Sequence, residues 1–423
     1  MPRLFHPAAA TAAVLASMLL SSFTSVQAAI KTQNMRGMAV TSTGKPRGTN
    51  IFKGADMYVN PYFQEELDSS IATASGEVKK TLKSIRGLSS AYWLDVKSKV
   101  HRADGPGDDF FLWKAFLRMR LPRTLPPPLL LSSTTCPIAV PLDPIVQVLK
   151  KFQGKVPIAL VIEPDSLPNL ATNLGDPRCG SKATVNAYEQ GVAYAVEQIG
   201  THAPDVMMYL DSSHGGWLGW EHSLMDYLAI LEKINVAKHV RGFALNTANY
   251  QPVGEMCPFW DYCLGGKNVN ATCCADPCKL AQQYNAGNNE MNFALMMHNK
   301  TTGMWPSFEP RFVIDTGRNG QSGMRESCSN WCNIRGAGIG HRPTTDTGSP
   351  LVDAFLWLKT PGESDGCTQI LPGPDKTQCP RFDSMCMSPD SIGSLEMDPR
   401  APEAGLWFDY QIKELAANAN LDG

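Results

Sequence analysis

The chain is poor in charge of either sign. Only 18% of its 423 residues are Asp, Glu, Lys or Arg, and 38 basic residues against 40 acidic ones leave a net charge of -2. Without a basic surplus nothing neutralises a phosphate backbone, which excludes nucleic acid as a partner class. Long apolar runs are lacking too: beyond the amino terminus no stretch approaches the roughly 20 residues that a membrane span requires. No Ser/Thr/Pro-rich linker divides the chain, so a tethered binding module is not expected. Clean Cys-x-x-Cys halves, the usual spacing of a structural zinc site, are also missing.

What is abundant is apolar surface and loop chemistry. A hydrophobic share of 43% builds a substantial core and rules out a disordered chain, while 35 Gly, 31 Pro and 12 Cys describe a loop-rich, cross-linkable protein suited to secretion. Residues 1–28 read as a signal peptide: Arg3 and His6 precede an apolar stretch over 8–20, and Val26-Gln27-Ala28 supplies a cleavage site near Ala28 or Ala29. The alternative is a membrane anchor, against which the shortness of that stretch argues. A short polar segment over 29–49 then leads into one large domain over 50–423. The sequons Asn270-Ala271-Thr272 and Asn299-Lys300-Thr301 fit a glycosylating route. The expected location is extracellular, free of the membrane once the signal is removed.

Cysteine placement agrees with that compartment. Cys257, Cys263, Cys273, Cys274 and Cys278 crowd into 22 residues. A zinc site and a disulfide-stapled loop are the two readings, and an oxidising route favours the staple. Cys328, Cys332, Cys367, Cys379 and Cys386 lie in Gly- and Pro-rich sequence and read as staples across long loops.

From residue 60 onward, short apolar runs resembling buried parallel strands recur at 90–94, 156–162, 206–210, 242–245, 311–314 and 354–358. Helical candidates lie at 64–85, 144–152, 185–199 and 224–236. Such alternation predicts a parallel sheet flanked by helices, open or closed as a barrel. Carboxylates follow four of the runs: Asp95, Glu163 with Asp165, Asp211, and Asp315. That is the expected placement for an α/β-barrel active site, although any one of them could instead cap the following helix. Trp217 and Trp220 sit in a glycine-rich loop just after Asp211. Indole faces in a cleft suit sugar rings, the alternative being that one of them plugs the barrel rim. Trp93, Trp331 and Trp357 lie near other strand ends and add to that aromatic set.

Several of these blocks together resemble glycoside hydrolase family 6. They are Val161-Ile162-Glu163-Pro164-Asp165-Ser166-Leu167, Asn173-Leu174-Gly175, Tyr209-Leu210-Asp211 with His214 and Gly216-Trp217-Leu218-Gly219-Trp220, and the segment 246–250 containing Asn249. Asp315-Thr316-Gly317-Arg318, Trp331-Cys332-Asn333, and Trp357-Leu358-Lys359 with Glu363 and Asp365 complete the match. The resemblance implies a distorted, incompletely closed parallel α/β barrel with long disulfide-stapled loops, no cofactor and no metal. It implies cellulose and cello-oligosaccharides as partners and a monomer that cleaves β-1,4-glucan with inversion. Asp165 corresponds to the general acid and Asp365 to the carboxylate often assigned as base, with water activation through a relay as the alternative. Asp211 corresponds to a carboxylate near the catalytic centre. Trp331, Lys359 and Glu363 correspond to groups holding the non-reducing-end sugars, Trp217 and Trp220 to leaving-side platforms, and Trp93, Asp95, His214 and Asn249 join the substrate-binding set. Cys332 and Cys386 correspond to a loop disulfide.

The chemistry asks something definite of these residues. Inversion needs an acid and a base-activated water on opposite faces of the sugar, their carboxyls roughly 6.5–9.5 Å apart. Asp165 must therefore keep its proton above the ordinary carboxylate value of about 3.9, with Glu163 and Asp211 available to supply like charge.

The resemblance breaks at 101–141. Family members carry a strand reading approximately Val-Tyr-Asp-Leu-Pro-Asp-Arg there, followed by Asp-Cys and a Ser- and Gly-containing loop, and this chain does not. Cys179 thereby loses its expected partner. If residues 132–139 were encoded TCG TCT ACG ACC TGC CCG ATC GC, reading from the third base would yield that motif. A frame error, a missed splice or a genuine lesion explains this, against the alternative of an unrelated insertion. As written, loss of a strand would expose its neighbours' edges. The favoured activity is release of cellobiose from chain ends, because residues 359–381, tied by Cys367 and Cys379, suggest a lid. An endo-acting glucanase and a catalytically impaired glucan-binding protein are the alternatives.

Overall fold

The computed structural model describes residues 49–93, 124–125, 129–131, 142–176, 180–368, 379 and 382–423. The signal peptide, Asp95, Cys136, Cys179, residues 132–139 and most of the loop between Cys367 and Cys379 lie outside them. Nine strands are described: β1 (Asp56–Met57), β2 (Tyr92–Trp93), β3 (Thr124–Leu125), β4 (Leu129–Leu131), β5 (Ile158–Ile162), β6 (Val206–Asp211), β7 (Val240–Leu245), β8 (Arg311–Asp315) and β9 (Val352–Leu356). The helices are α1 (Pro61–Thr73), α2 (Gly76–Ile85), α3 (Leu142–Phe152), α4 (Ser166–Asn173), α5 (Lys182–His202), α6 (Gly215–Leu218), α7 (Glu221–Ile234), α8 (Glu290–Met304) and α9 (Asp409–Ala417).

Seven strands form one all-parallel sheet in the order β2-β4-β5-β6-β7-β8-β9, while β1 pairs with β3 in a separate two-stranded sheet. The apolar runs Ile158–Ile162 and Val240–Leu245 are buried throughout because a parallel sheet is covered on both faces. Gly242 has a steric reason: a Cβ there would lie 1.8 Å from the Arg311 carbonyl oxygen of the adjacent strand. The sheet curls into an open half-barrel. Among the described residues its edges β2 and β9 form no ladder, but the Ala91 N–H donates to the Trp357 carbonyl at 2.8 Å. That open, curled α/β architecture agrees with the incompletely closed barrel expected from the sequence.

Alternate residues along the strands serve two cores. Inward-facing Ala159, Val161, Tyr209, Ala244, Val313 and Ala354 pack with Phe52, whose ring stacks on Tyr209 at 6.3 Å. Outward-facing Leu160, Leu210, Phe243 and Phe312 pack with Val192, Leu228 and Phe293 from the helices. Each large side chain buried this way contributes about 1.5–3 kcal/mol. A third cluster joins α1, α2 and α9, with Phe63 edge-on to Trp357 at 6.2 Å.

Several expectations need correction. The helix expected over 64–85 is two helices, because Ala74 and Ser75 are extended and Gly76 has φ of 56°. The sheet position expected to be empty is filled: Leu129–Leu131 pairs in parallel with both Tyr92–Trp93 and Leu160–Ile162. Ladder hydrogen bonds are made by backbone, so an extended apolar triplet can take a position whatever motif should stand there. Trp357 is 1% exposed and donates to the His341 carbonyl, so it belongs to the core and not to a cleft. The strand expected at 354–358 ends at Leu356.

The cysteine cluster is a knot of disulfides, not a metal centre. Cys257–Cys273 and Cys263–Cys274 interlock, Cys278–Cys328 ties the loop to the next strand connection, and Cys332–Cys386 and Cys367–Cys379 staple the later loops.

Candidate active site

Asp165 and Asp211 follow or end adjacent strands, and the barrel brings them into contact. The Asp165 N–H donates to Asp211 Oδ2 at 2.9 Å, and the same oxygen accepts the Ser213 N–H at 3.1 Å. Asp211 is 2% exposed. Burial raises both carboxyls above the ordinary range, with Asp365 adding to the effect on Asp165 and Asp165 to that on Asp211. The like charge acting on Asp165 thus comes from Asp365, where Glu163 and Asp211 had been expected, and Asp165 in turn acts on Asp211.

The backbone around this pair is strained. Glu163, Asp165, Ser213, Asn246 and Ala248 all have φ between 51° and 66°, at the carboxyl ends of β5, β6 and β7. Non-glycine residues held there cost about 1–3 kcal/mol each and persist only when the surrounding structure demands them.

Asp365 is fully engaged. Arg318 Nη1 donates to both of its oxygens at 2.7 Å, and Oδ2 also accepts from the Tyr250 hydroxyl and the Asn333 N–H, each at 2.8 Å. Asp315 plays the capping role: its two oxygens accept the N–H groups of Gly317, Leu358, Ala248 and Lys359, tying three strand ends together. It leaves the catalytic candidates.

The binding candidates fall into two groups of contacts. Lys359 Nζ reaches Glu363 Oε2 at 3.2 Å and lies 5.6 Å from the Trp93 ring centroid, while Trp93 Nε1 is anchored on the Leu358 carbonyl at 2.9 Å. Trp331 is partly buried beside Cys332. In the second group, Trp217 and Trp220 are partly buried, with their indole N–H groups fixed on Thr172 Oγ1 and the Gln283 carbonyl, both at 3.1 Å. His214 is buried 6.2 Å from Trp217, and burial lowers it to about 3, so it stays neutral. Asn249 Oδ1 accepts from the Tyr250 N–H at 2.7 Å and from Arg325 at 3.2 Å.

Sequence reasoning passed over Tyr250, Gln251, Glu290, Arg318 and Arg325 as chemically active groups. Arg318 was visible only as the end of a motif. Glu290 carried the one available signal, an acidic residue opening an otherwise apolar and amide-rich helix.

The family described as "Glycosyl hydrolases family 6" matches residues 141–419. Exoglucanase 3 of Agaricus bisporus is 31% identical over 395 residues, covering 88% of this chain and 79% of that protein. A 1,4-beta-D-glucan cellobiohydrolase of Podospora anserina is 31% identical, covering 88% of each. Among solved structures, the CcCel6A catalytic domain complexed with p-nitrophenyl beta-D-cellotrioside superposes with a TM-score of 0.68 at 27% identity, covering 88% of this chain and 98% of that one. Cellobiohydrolase II from Humicola insolens, in complex with glucose and cellotetraose, gives 0.69 at 25% identity, covering 88% and 99%.

Proposed function

Because the chain belongs to glycosyl hydrolase family 6 and is a cellulose-degrading glycoside hydrolase of the cellobiohydrolase type, we propose that it acts outside the cell, releasing cellobiose from glucan ends with inversion. The observation carrying this reading is the bonded, proton-retaining pair Asp165 and Asp211 at neighbouring strand ends. An acid held in its protonated form can protonate a departing glycosidic oxygen at mildly acidic pH. In this reading Asp165 is that acid, and Asp211 accepts the Asp165 backbone N–H and shares its proton balance. Every bond drawn by Asp365 makes it a poor direct base. We assign it instead to raising Asp165 and to polarising an attacking water through an intermediary. Trp93, Trp331, Lys359 and Glu363 hold the non-reducing-end sugars, and Trp217, Trp220, His214 and Asn249 receive the leaving chain. Asp95 belongs to the same proposal from its sequence position alone.

The test is anomeric. Proton spectra recorded during cellohexaose hydrolysis should show α-cellobiose before mutarotation, and initial β-anomer would overturn the inverting assignment. Residues 132–139 keep a second reading alive, that of a glucan-binding chain with impaired turnover. Binding of cellohexaose without sugar release would favour it, and a transcript reading Val-Tyr-Asp-Leu-Pro-Asp-Arg across those codons would remove it.

A further inference from the structure

Glu290 has no part in the chemistry described above, yet it is 0% exposed at the first position of α8. Its Oε1 accepts the Gly215 N–H at 2.9 Å, and among the described residues its Oε2 has no partner. Gly215 is held from its other side as well. Asn285 Nδ2 donates to the Gly215 carbonyl at 2.9 Å, and the Gly287 carbonyl oxygen would lie 2.2 Å from any Cβ placed on Gly215. The Ala286 N–H donates to the Gly219 carbonyl at 2.9 Å, and Asn285 forms a β-bridge with Trp220. The segment 285–290 therefore grips the turn 215–220, which carries Trp217 and Trp220, along its whole length.

The grip is itself anchored. Asn288, Asn289 and Asn292 donate to the Cys273 carbonyl at 3.2, 3.1 and 2.8 Å, and Cys273 is bridged to Cys257. The disulfide knot, the amide cluster and Glu290 form one rigid connection behind the tryptophan turn.

We propose that Glu290 is a positioning residue for the leaving-side glucan site, acting through Gly215 to hold Trp217 and Trp220 in the orientation that receives the departing chain. This rests on the reading of those tryptophans as sugar platforms. Glu290 does not touch substrate, and what it supplies is an acceptor for one buried N–H. Burial raises it to about 8, so at working pH it is a neutral acid, which a glutamine reproduces in shape and charge.

The experiment compares Glu290→Ala and Glu290→Gln on two substrates. Cellohexaose occupies the leaving side with sugar, whereas an aryl cellobioside places only an activated aglycone there. Glu290→Ala should raise KM for cellohexaose about tenfold, the loss expected from one buried hydrogen bond, and change aryl cellobioside turnover less than about twofold. Glu290→Gln should restore the cellohexaose KM to within about threefold of the parent. Equal losses on both substrates, an unaffected Glu290→Ala, or a Glu290→Gln as damaged as Glu290→Ala would each overturn the proposal. Tryptophan fluorescence titrated with cellohexaose separates this from the hydrolase reading. A parent that binds without turnover sinks only the hydrolase reading, and the same tenfold weakening of binding in Glu290→Ala then decides for the clamp. A parent that does not bind cellohexaose overturns the clamp.

Discussion

The two ends of this barrel handle buried polar groups in opposite ways. Near the amino ends of β7 and β9, Arg241 and Asp353 form an ion pair in which both side chains are 4% exposed. Arg241 donates to both Asp353 oxygens, at 2.5 and 2.8 Å, and the Tyr209 hydroxyl adds a third bond at 2.7 Å. At the carboxyl ends, Ser213 Oγ, His214 Nδ1, Gln251 Nε2 and Glu290 Oε2 are buried without partners among the described residues. The five strained residues after β5, β6 and β7 are there too. Unmet hydrogen bonds and strain are costs a scaffold avoids, so their concentration at one end marks where a ligand and water complete the structure. The satisfied end holds the fold, and the unsatisfied end holds the chemistry.

Replacement of each end's central carboxylate should break different properties. Asp165→Asn should cut turnover of unactivated cello-oligosaccharides by about 10²- to 10⁴-fold while leaving the melting temperature unchanged or slightly higher, because it relieves like charge. A substrate with an acidic leaving group should show a smaller deficit. Near-normal cellohexaose turnover in this variant would transfer the acid role to Asp211. Asp353→Ala should do the reverse, costing about 3–5 kcal/mol in denaturant unfolding because it removes the carboxylate that balances the buried Arg241 charge. A loss below about 1 kcal/mol would show that water reaches the amino-terminal end and would erase the contrast.

The pH dependence of stability sharpens the same comparison. Glu290 titrates at about 8 in the fold and near 4.3 in an unfolded chain, so the folded state holds the extra proton and stability falls as pH rises through that window. His214, lowered to about 3, acts with the opposite sign, but only below its unfolded value near 6.5. Asp165 and Asp211, raised to about 6 and about 7, act with the same sign as Glu290 but are largely spent by pH 7, so between pH 7 and 8 Glu290 dominates. Urea unfolding should show a loss on the order of 1 kcal/mol across that interval, most of which Glu290→Gln should remove. A slope that survives this substitution would place the proton elsewhere.

The smallest expected effect concerns the platforms. Trp217→Ala or Trp220→Ala should weaken use of long glucans more than of short ones, by about 0.5–1.5 kcal/mol beyond the area lost. Equal kinetic loss on both would make these tryptophans packing residues of the turn they share with Gly215.

Much of this was legible along the chain because it is local. The apolar runs at 156–162, 206–210 and 311–314 could be placed from residue type alone, since a strand buried on both faces must be apolar, and the first of them pairs from Ile158. Asp165 and Asp211 were visible as carboxylates directly after such runs. Asp315 looked the same in sequence, and only its four accepted N–H groups separate a cap from a catalytic candidate. Trp357 was misjudged for a related reason: proximity to a strand end does not say which way a ring packs, and this one meets Phe63 from a helix almost 300 residues earlier.

The amino-acid sequence alone determined the strand-and-helix alternation, the family, the stapled loops and the shortlist of acids and aromatics, because each follows from residue type, spacing or motif. Which carboxylates are free, which are spent and which keep a proton was decided only by the tertiary structure. Arg318 reaches Asp365 across 47 positions, Gly215 reaches Glu290 across 75 and Arg241 reaches Asp353 across 112. A carboxyl's proton affinity depends on burial and on charges within a few ångströms, and in this barrel those neighbours come from distant strands.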